Sequence, residues 1–483
     1  MSHTCKPWIS GIRIGPTATG WRAGWIALIL AGSALADSAP ARLTVEAAFE
    51  AALQNNLRLA GAALDVRRRS LDLELAKSAF DASFSPFARV SAPDGERQFS
   101  YGLQISKPLS SGGAIGAVAT RFDGPETREG LLSLDLTQPL FRRFGRNVAE
   151  EAIRTGSDRL RSSRRLWESR KADLALTLVS LFETIFRLDA QAEFERRFLG
   201  ELDRLARLTR ARERQGRATR MDSLRVEVQL GEAQTRLTNV QERRAIAMRE
   251  LTEVVGADPS ENLLLAPPPR IVTPLPDPET AVALALSRRM DYAQVLDDAA
   301  SAGRRDTLAR RARWPDLSLS LSLRRTHPDG LPEAAREGEN HWFATLASDG
   351  FPSRRADRIA MEQAGLDEES AELEVEWTRQ IITREVLQAL AECRRAEAEL
   401  EIAERTREWA QNGSTLGRRL YALGRTDGLS VSGAEAQLAE SERRLLEAQA
   451  ADRFSRVALL HVLGLLIEHP EELTPEAPRT VQP

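Results

Sequence analysis

The spacing of apolar residues changes along this chain of 483 residues, and each change marks a different kind of element. From Thr44 to Ala79 apolar residues recur at helical spacing, with Asn55-Asn56 as a break between two short helices. Residues 84–140 alternate apolar and polar side chains with a period of two, which is typical of strands. Asn147 to Gln215 then returns to helical spacing without a proline. The pattern predicts short helices, strands and one very long helix, in that order.

The second half of the chain repeats this order. Residues 278–313 again read as two short helices, with Arg288-Arg289 in place of the two asparagines. Leucines alternate with serines from Leu317 to Leu323, and a second strand is expected over Trp342 to Ala347. A proline-free helical stretch follows from Ser353 to Leu423. The same structural unit is therefore expected twice.

The clearest repeat lies where each long helix should turn back. The sequence GRATRMDSLRVEVQL begins at Gly216, and GRTDGLSVSGAEAQL begins at Gly424. Their offset of 208 residues (424 − 216) also superposes Glu227 on Glu435 and Gly256 on Gly464. We expect long helical hairpins over 147–256 and 353–466. A helix of over sixty residues, at ~1.5 Å rise per residue, spans roughly 100 Å.

These patterns divide the chain into segments. Basic residues, the apolar run Trp25–Ala31 and the motif Ala34-Leu35-Ala36 predict a signal peptide over 1–36, because the run is shorter than the ~20 residues that span a bilayer. The remaining expected segments are a first repeat (37–256, strands about 84–140), a proline-rich linker (257–277), a second repeat (278–466, strands about 317–350) and a flexible tail (467–483).

Composition narrows the function classes. The 67 basic and 70 acidic residues are interleaved and leave a net charge of −3, so the sequence has no basic field for nucleic acid. Cys5 precedes the cleavage motif and Cys393 stands alone, so neither an intramolecular disulfide nor an acyl anchor is expected. The four histidines of the mature chain have no metal-spaced partners, and no nucleophile motif or phosphate loop is present. We therefore expect no enzyme activity, no cofactor and no metal site.

The alternating segments allow two interpretations. A soluble sheet with one buried face would show this alternation, and so would a transmembrane β-barrel with apolar residues facing lipid and polar residues facing the lumen. The signal peptide, the turn-rich loops and the flanking long helices, which offer no other core to cover a sheet, favour the barrel.

The chain resembles the TolC-like outer-membrane efflux proteins over essentially all of its mature sequence. The resemblance is carried by the duplicated plan, by Val45-Glu46-Ala47-Ala48 with Leu53-Gln54-Asn55-Asn56, and by the strand Leu134–Leu140 that ends in Gln-Pro-Leu. The two glycine-containing tips, each followed by E-x-Q-L, complete it. Each motif alone is weak, but together they occur in the family's order and spacing.

This resemblance implies a mainly α fold with a small β part. Duplicated long helical hairpins would form a trimeric α-barrel tunnel in the periplasm, capped by a shared 12-stranded transmembrane β-barrel in the outer membrane, with four strands from each chain. The homotrimer would be the outer-membrane channel of a tripartite efflux or secretion system and would export solutes passively. Its partners would be a periplasmic adaptor (membrane fusion protein), an inner-membrane transporter and outer-membrane lipid. The alternative is a periplasmic coiled-coil scaffold protein without a pore.

The first repeat departs from the implied strand number. The family uses two barrel strands in each repeat. The first repeat of this chain offers four alternating segments, at 84–90, 99–105, 115–122 and 131–137. Either some of these segments are halves of longer strands, or the chain contains an additional hairpin.

The resemblance also implies roles for residues at the tips. The adaptor-docking tips would comprise Gly216, Arg217, Gly424 and Arg425. In the periplasmic gate, the family's tyrosine matches Tyr421 and its aspartate matches Asp222. The family's partner arginine falls on Thr426, with Arg425 one position early, so the closing salt bridge is not expected to be the usual one.

Overall fold

The computed structural model describes residues 42–91, 98–124, 128–216, 219–257, 264–268, 274–328, 331–348, 354–423, 425–426, 428–470 and 473. The predicted signal peptide and the tip residues Arg217 and Gly424 lie outside the described residues. Within them, no helix is long and apolar enough to cross a membrane.

The first repeat has the predicted order of elements. Its helices and strands are α1 (Val45–Asn55), α2 (Leu57–Ser78), β1 (Ser83–Ser91), β2 (Gln98–Pro108), β3 (Ala114–Asp123), β4 (Arg128–Pro139), α3 (Arg146–Ala149), α4 (Glu151–Arg214) and α5 (Arg220–Val255). Asn56 separates α1 from α2, and its side-chain oxygen accepts hydrogen bonds from the first backbone N–H groups of α2. The break predicted at the asparagine pair is therefore confirmed.

The second repeat has the same order with a simpler strand region. It comprises α6 (Pro278–Arg288), α7 (Met290–Arg311), β5 (Leu317–His327), α8 (Leu331–Glu337), β6 (Glu339–Ser348), α9 (Arg354–Ala422) and α10 (Gly428–Val462). Helix α8, between the two strands, was not predicted. The guanidinium of Arg325 on β5 donates hydrogen bonds to the carbonyls of Ala335, Arg336 and Gly338, and so caps the carboxyl end of α8.

The chain forms two compact units, and both repeats contribute to each. One, the helical unit, comprises the described parts of 1–61, 167–290 and 380–483. The other, the sheet unit, comprises the described parts of 62–166 and 291–379. The repeats found in the sequence are therefore repeats of chain order, whereas the packed bodies combine matching portions of both.

The core of the helical unit is built on α4. Leu178, Phe182 and Ile185, at helical spacing on one face, are fully buried with Ala52 of α1 and Leu251 of α5. Helix α5 buries residues at heptad spacing, namely Ala233, Leu237, Val240, Ala247 and Leu251. Arg244 interrupts this pattern in the sequence, and it forms an ion pair with Asp189 of α4.

Both long hairpins end in the same way within the helical unit. Gly256 follows α5 with φ 72°, and Gly464 follows α10 with φ 70°, conformations that L side chains rarely adopt. A Cβ added at Gly256 would lie 2.6 Å from Cβ of Asn55, and one at Gly464 would lie 3.2 Å from the backbone of Arg288. Each glycine thus sits against the end of the first short helix of its own repeat.

The terminal segments of the helical unit are more ordered than predicted. Leu43 and Leu265 form a parallel bridge that fixes the described part of the linker beside the start of α1. We predicted a flexible tail from residue 467, and this is wrong at its start. Ile467 and Leu473 are buried, because the tail supplies apolar side chains to the core, and the side chain of His469 is only 6% exposed. Residues 474–483 lie outside the described part of the chain.

The sheet unit holds one six-stranded antiparallel sheet in the order β1-β2-β3-β4-β5-β6. The four strands per chain implied by the family resemblance are therefore wrong for this chain. All four alternating segments of the first repeat form separate strands of 9, 11, 10 and 12 residues. Each is long enough to pair on its own, so the additional hairpin is the alternative that the structure adopts.

Candidate functional site

One face of the sheet is apolar across all six strands. Because partners in register project to the same face, a single row can be followed from strand to strand. The row nearest the middle of the sheet consists of Phe84, Ile105, Ala117, Leu134, Leu323 and Trp342. Phe84, Leu134, Leu323 and Trp342 of this row are largely exposed in the single chain. Among the described residues, these four side chains of the apolar face are left without a cover.

The opposite face is polar along the neighbouring row. This row contains Ser83, Ser106, Gly116, Asp135 and Ser322, and it ends at Phe343 on β6. The carboxylate of Asp135 accepts hydrogen bonds from Ser133 (2.9 Å) and from Ser322. The predicted division into an apolar and a polar face is confirmed. A carboxylate held by hydroxyl groups on the second face suits contact with water.

At the first helix tip, Gly216 and Asp222 have separate structural roles. Gly216 ends the helical turn after α4 with φ 72°, and its N–H donates to the carbonyl of Glu213 (2.9 Å). Thr219 caps α5. The Asp222 N–H donates to Thr219 Oγ1 (3.2 Å), and the Thr219 N–H donates to Asp222 Oδ2 (3.0 Å). The residue predicted to act in the gate thus also fixes the start of α5 through a capping box.

At the second tip, Arg425 and Thr426 follow α9. The Arg425 N–H donates to the carbonyl of Leu420 (2.9 Å), which closes the last turn of that helix. The side chain of Arg425 is exposed, and Thr426 is half-buried. Arg425 is therefore accessible to a partner, as a docking residue requires.

Tyr421 joins the two tips. The guanidinium of Arg212, near the end of α4, lies 4.1 Å from the centre of the Tyr421 ring on α9. A cation at this distance from a tyrosine ring is attracted by about 0.5–1 kcal/mol at an exposed site. We did not predict Arg212 as a tip residue, because its contact depends on how two helices far apart in sequence are rotated against each other. The sequence pattern does not distinguish Arg212 from the many other arginines of α4.

An ion pair is repeated inside each tip at the same spacing. Arg210 Nε lies 2.9 Å from Glu227 Oε1 in the first hairpin, and Arg418 Nε lies 3.0 Å from Glu435 Oε1 in the second. The offset that aligns the glycines also aligns both members of these pairs. In the second hairpin, the hydroxyl of the fully buried Ser414 also donates to Glu435 (2.8 Å). Each pair joins the two arms of its own hairpin beside the tip.

A stripe of large apolar side chains lies on the surface of α9. Ile402, Trp409 and Leu416 of α9, and Leu423 directly after its end, recur every seven residues, and each is 58–69% exposed. A seven-residue period places the three helical residues on one side of α9, as in the seam of a coiled coil. Three large side chains in one exposed row, continued by Leu423, exceed the scattered apolar residues of ordinary surfaces. This stripe, like the apolar sheet face, is suited to burial against another molecule.

The helical unit also contains a buried group of charges beside the tail. Lys171 Nζ lies 2.6 Å from Glu168 Oε2 and 4.2 Å from the centre of the Trp167 ring. Burial raises the pKa of Glu168, but the adjacent His469, 3.9 Å from the carboxylate, and Lys171 lower it by more, so the pKa of this carboxyl lies below its ordinary value. Glu168 is therefore held as a carboxylate. No cluster of His, Cys, Asp and Glu among the described residues has the arrangement of a metal site.

These elements define the class of the fold. The chain is mainly helical, with a long helical hairpin at the matching place in each of two repeats. In the sequence, the strands of each repeat lie between its short and its long helices, and the strands of both repeats form one small antiparallel sheet. The mainly α fold with a small β part, expected from the sequence, is confirmed.

Solved structures of outer-membrane proteins share this fold. The outer-membrane channel OprN matches with a TM-score of 0.68 at 17% identity, covering 87% of this chain and 89% of its own. The outer membrane protein VceC from Vibrio cholerae matches with a TM-score of 0.68 at 17% identity, covering 87% and 96%. The CmeC outer membrane channel of Campylobacter jejuni matches with a TM-score of 0.64 at 14% identity, covering 89% and 87%.

The resemblance to the TolC-like proteins is thus confirmed at the level of the fold. No family model matches the sequence, and no curated protein matches it. The identities of 14–17% show a shared architecture. The argument for function therefore rests on the chain's own residues.

Proposed function

We propose that this protein is the outer-membrane channel of a tripartite efflux or secretion system. Three copies would form a continuous duct through which solutes leave passively. The observation that carries this proposal is the apolar face of the six-stranded sheet, which is continuous across all strands and exposed in the single chain. The similarity of the chain's fold to solved outer-membrane channels supports the same function.

The length of the strands suits an outer membrane. The six strands have 9 to 12 residues, and a tilted strand of about 9–11 residues crosses the hydrocarbon layer. Phe84 on β1 and Trp342 on β6 leave large apolar side chains at both edges of the sheet. Lipid is the cover that this face would take, since a water-soluble sheet would bury it against its own helices.

The exposed stripe on α9 supports a homotrimer. Ile402, Trp409 and Leu416 would pack against a helix of the next copy, because a heptad row exposed in one chain is stabilised by a second helix. Three copies, each with two hairpins, would close the helices into a tunnel in the periplasm. The same closure would bring the open edges of the sheet together.

The helix tips would be the docking surface for a periplasmic adaptor bound to an inner-membrane transporter. Arg425 is exposed, and Met221, Leu224 and Val228 leave apolar surface beside the first tip. Gly216, Arg217 and Gly424 would complete this surface. The contact between Arg212 and Tyr421 would restrain the tips in the closed duct, with Asp222, Thr426 and Arg425 at the same entrance.

The second candidate is a periplasmic coiled-coil scaffold without a pore. The heptads in α5 and α9 fit it as well as they fit a tunnel. It gives no use to an exposed apolar sheet face. The two candidates therefore differ in whether the sheet meets lipid.

Fractionation and mass measurement test the proposed channel. The predicted signal peptide should be cleaved from the full chain, and the protein should be recovered from outer membranes only with detergent. The extracted particle should have the mass of three copies. Trp409→Arg should abolish the three-copy particle, whereas Trp377→Arg, at an exposed site of α9 outside the seven-residue row, should retain it. A processed chain that is soluble without detergent would contradict the channel and favour the scaffold.

A further inference from the structure

We infer that the additional hairpin β2–β3 is part of the membrane wall, so that three copies of this chain form an 18-stranded barrel instead of a 12-stranded one. This inference rests on the proposed function, because it takes three copies and a lipid-facing sheet from it. The observation behind it is the strand count, since the described residues of each chain form six strands in one sheet.

The first argument is the continuity of the faces. Ile105 of β2 and Ala117 of β3 occupy the same apolar row as Leu134 of β4 and Leu323 of β5. On the other side, Ser106 and Gly116 continue the row of Asp135 and Ser322. A hairpin that left the wall to cover or plug the lumen would not need the two-sided pattern of its neighbours. The inserted strands thus have the same two environments as the others.

The second argument is how the hairpin is fastened. Its turn, Leu109–Gly113, packs on the segment by which the chain leaves β4. The Gly145 N–H donates to the carbonyl of Ser111 (2.7 Å), and the Ser111 hydroxyl donates to Gln138 Oε1 (2.7 Å). Gly112 has φ 87°, and a Cβ there would lie 2.3 Å from the carbonyl oxygen of Arg143. This fit ties β2 and β3 to the end of β4, and their outward rotation would break it.

The third argument is the closure of the sheet. With six antiparallel strands, β1 and β6 run in opposite directions, so β6 of one copy can pair with β1 of the next in the antiparallel sense. Strands with exposed side chains at an open edge otherwise promote aggregation, and barrel closure removes the edges. An even number of strands in each chain preserves this match around the ring.

The consequence is a wider pore. At strand spacings of about 4.8 Å and a tilt of about 40°, a 12-stranded barrel has a backbone diameter of about 24 Å and an 18-stranded one about 36 Å. Side chains fill the interior of a barrel of about eight strands, whereas barrels of about 16–18 strands keep a water-filled channel. The duct would therefore accept bulkier solutes at its outer end than a 12-stranded relative.

Spin labels on the full chain in lipid vesicles test this inference. Labels at Ile105→Cys and Ala117→Cys should collide several-fold more often with oxygen than with a water-soluble nickel complex, as labels in lipid do. Gln104→Cys, on the opposite face of β2, should show the reverse preference. Leu134→Cys and Leu323→Cys are the controls for the wall. Native mass spectrometry of the same particles should give three copies.

The outcomes separate the inference from the proposed function. Lipid contact at Leu134 and Leu323 with water contact at Ile105 and Ala117 would overturn the 18-stranded barrel and leave the channel intact. Water contact at all four positions would overturn the channel itself. A copy number other than three would overturn the count of 18 strands even if all four labels lie in lipid.

Discussion

The two repeats are alike at the junctions between their long and short helices and differ in their strand regions. Gly256 and Gly464 close the long hairpins against the short helices in the same conformation. The strand regions differ, with four strands in the first repeat and two in the second. The junctions are constrained because a close backbone contact admits few side chains. A strand pair can be added without disturbing them, because a hairpin enters and leaves a sheet at the same end.

The largest expected effect tests whether the two junctions are equally strict. Gly256→Ala should lower the free energy of unfolding by about 3 kcal/mol, since the left-handed conformation costs about 1–2 kcal/mol and the new Cβ would overlap Asn55. Gly464→Ala should cost about 1–2 kcal/mol, because its nearest neighbour is more distant. Denaturant unfolding in detergent measures both. Gly231→Ala, in an open helical position, is the control and should be neutral or stabilising; equal effects at all three glycines would refute the comparison.

A second prediction compares a contact between the repeats with a contact inside one. Arg453 of α10 makes three hydrogen bonds of 2.8–3.0 Å to the buried carboxylate of Glu183 on α4. Glu183→Gln should destabilise the fold by about 2–3 kcal/mol, because a partly buried guanidinium loses its counter-charge. Asp189→Asn, which alters the exposed pair with Arg244, should cost less than about 0.5 kcal/mol. Similar losses for the two variants in thermal unfolding would contradict this ranking.

The third prediction concerns acid stability. A carboxyl whose pKa is lowered by folding contributes stability above its unfolded pKa, and the contribution is lost as the pH falls through its folded pKa. Glu168 has a lowered pKa in a buried site, so stability should fall as the pH drops below about 4.5. Glu168→Gln should flatten the dependence of the unfolding free energy on pH in this range.

Glu440 is the matched control for this pH dependence. Hydrogen bonds from Arg443, opposed by burial and aided by Arg444, lower its pKa to about 2. Its side chain is 43% exposed, so solvent screening should keep its contribution below about 1 kcal/mol. A larger flattening by Glu440→Gln than by Glu168→Gln would count against the buried carboxylate as the acid-sensitive group.

The smallest expected effect lies at the tips. Arg212→Gln removes the cation over the Tyr421 ring and should make the channel open more often, since about 0.5–1 kcal/mol of restraint is lost. Tyr421→Phe retains an aromatic ring and should change the opening frequency little. Single-channel recordings distinguish the two variants. If Tyr421→Phe opens the channel as much as Arg212→Gln does, the hydroxyl and not the ring carries the restraint.

The sequence predicted the features that depend on local pattern. Helical spacing, the Asn55-Asn56 break and the period-two strands were sufficient for the order of elements, and the repeat offset linked Gly256 to Gly464. It could not choose between four strands and two longer ones, because alternation does not indicate where a strand turns. The cap on α8 by Arg325, the buried His469 and the Arg212–Tyr421 contact depend on tertiary placement. No local pattern encodes these contacts.

Single-channel recording on the purified mature protein tests the central claim most directly. Three-copy particles extracted from outer membranes should insert into planar lipid bilayers and give discrete, repeatable current steps, with more frequent opening for Arg212→Gln. A processed chain that remains in water, inserts into no bilayer and carries no current would contradict the account of this protein as an outer-membrane channel.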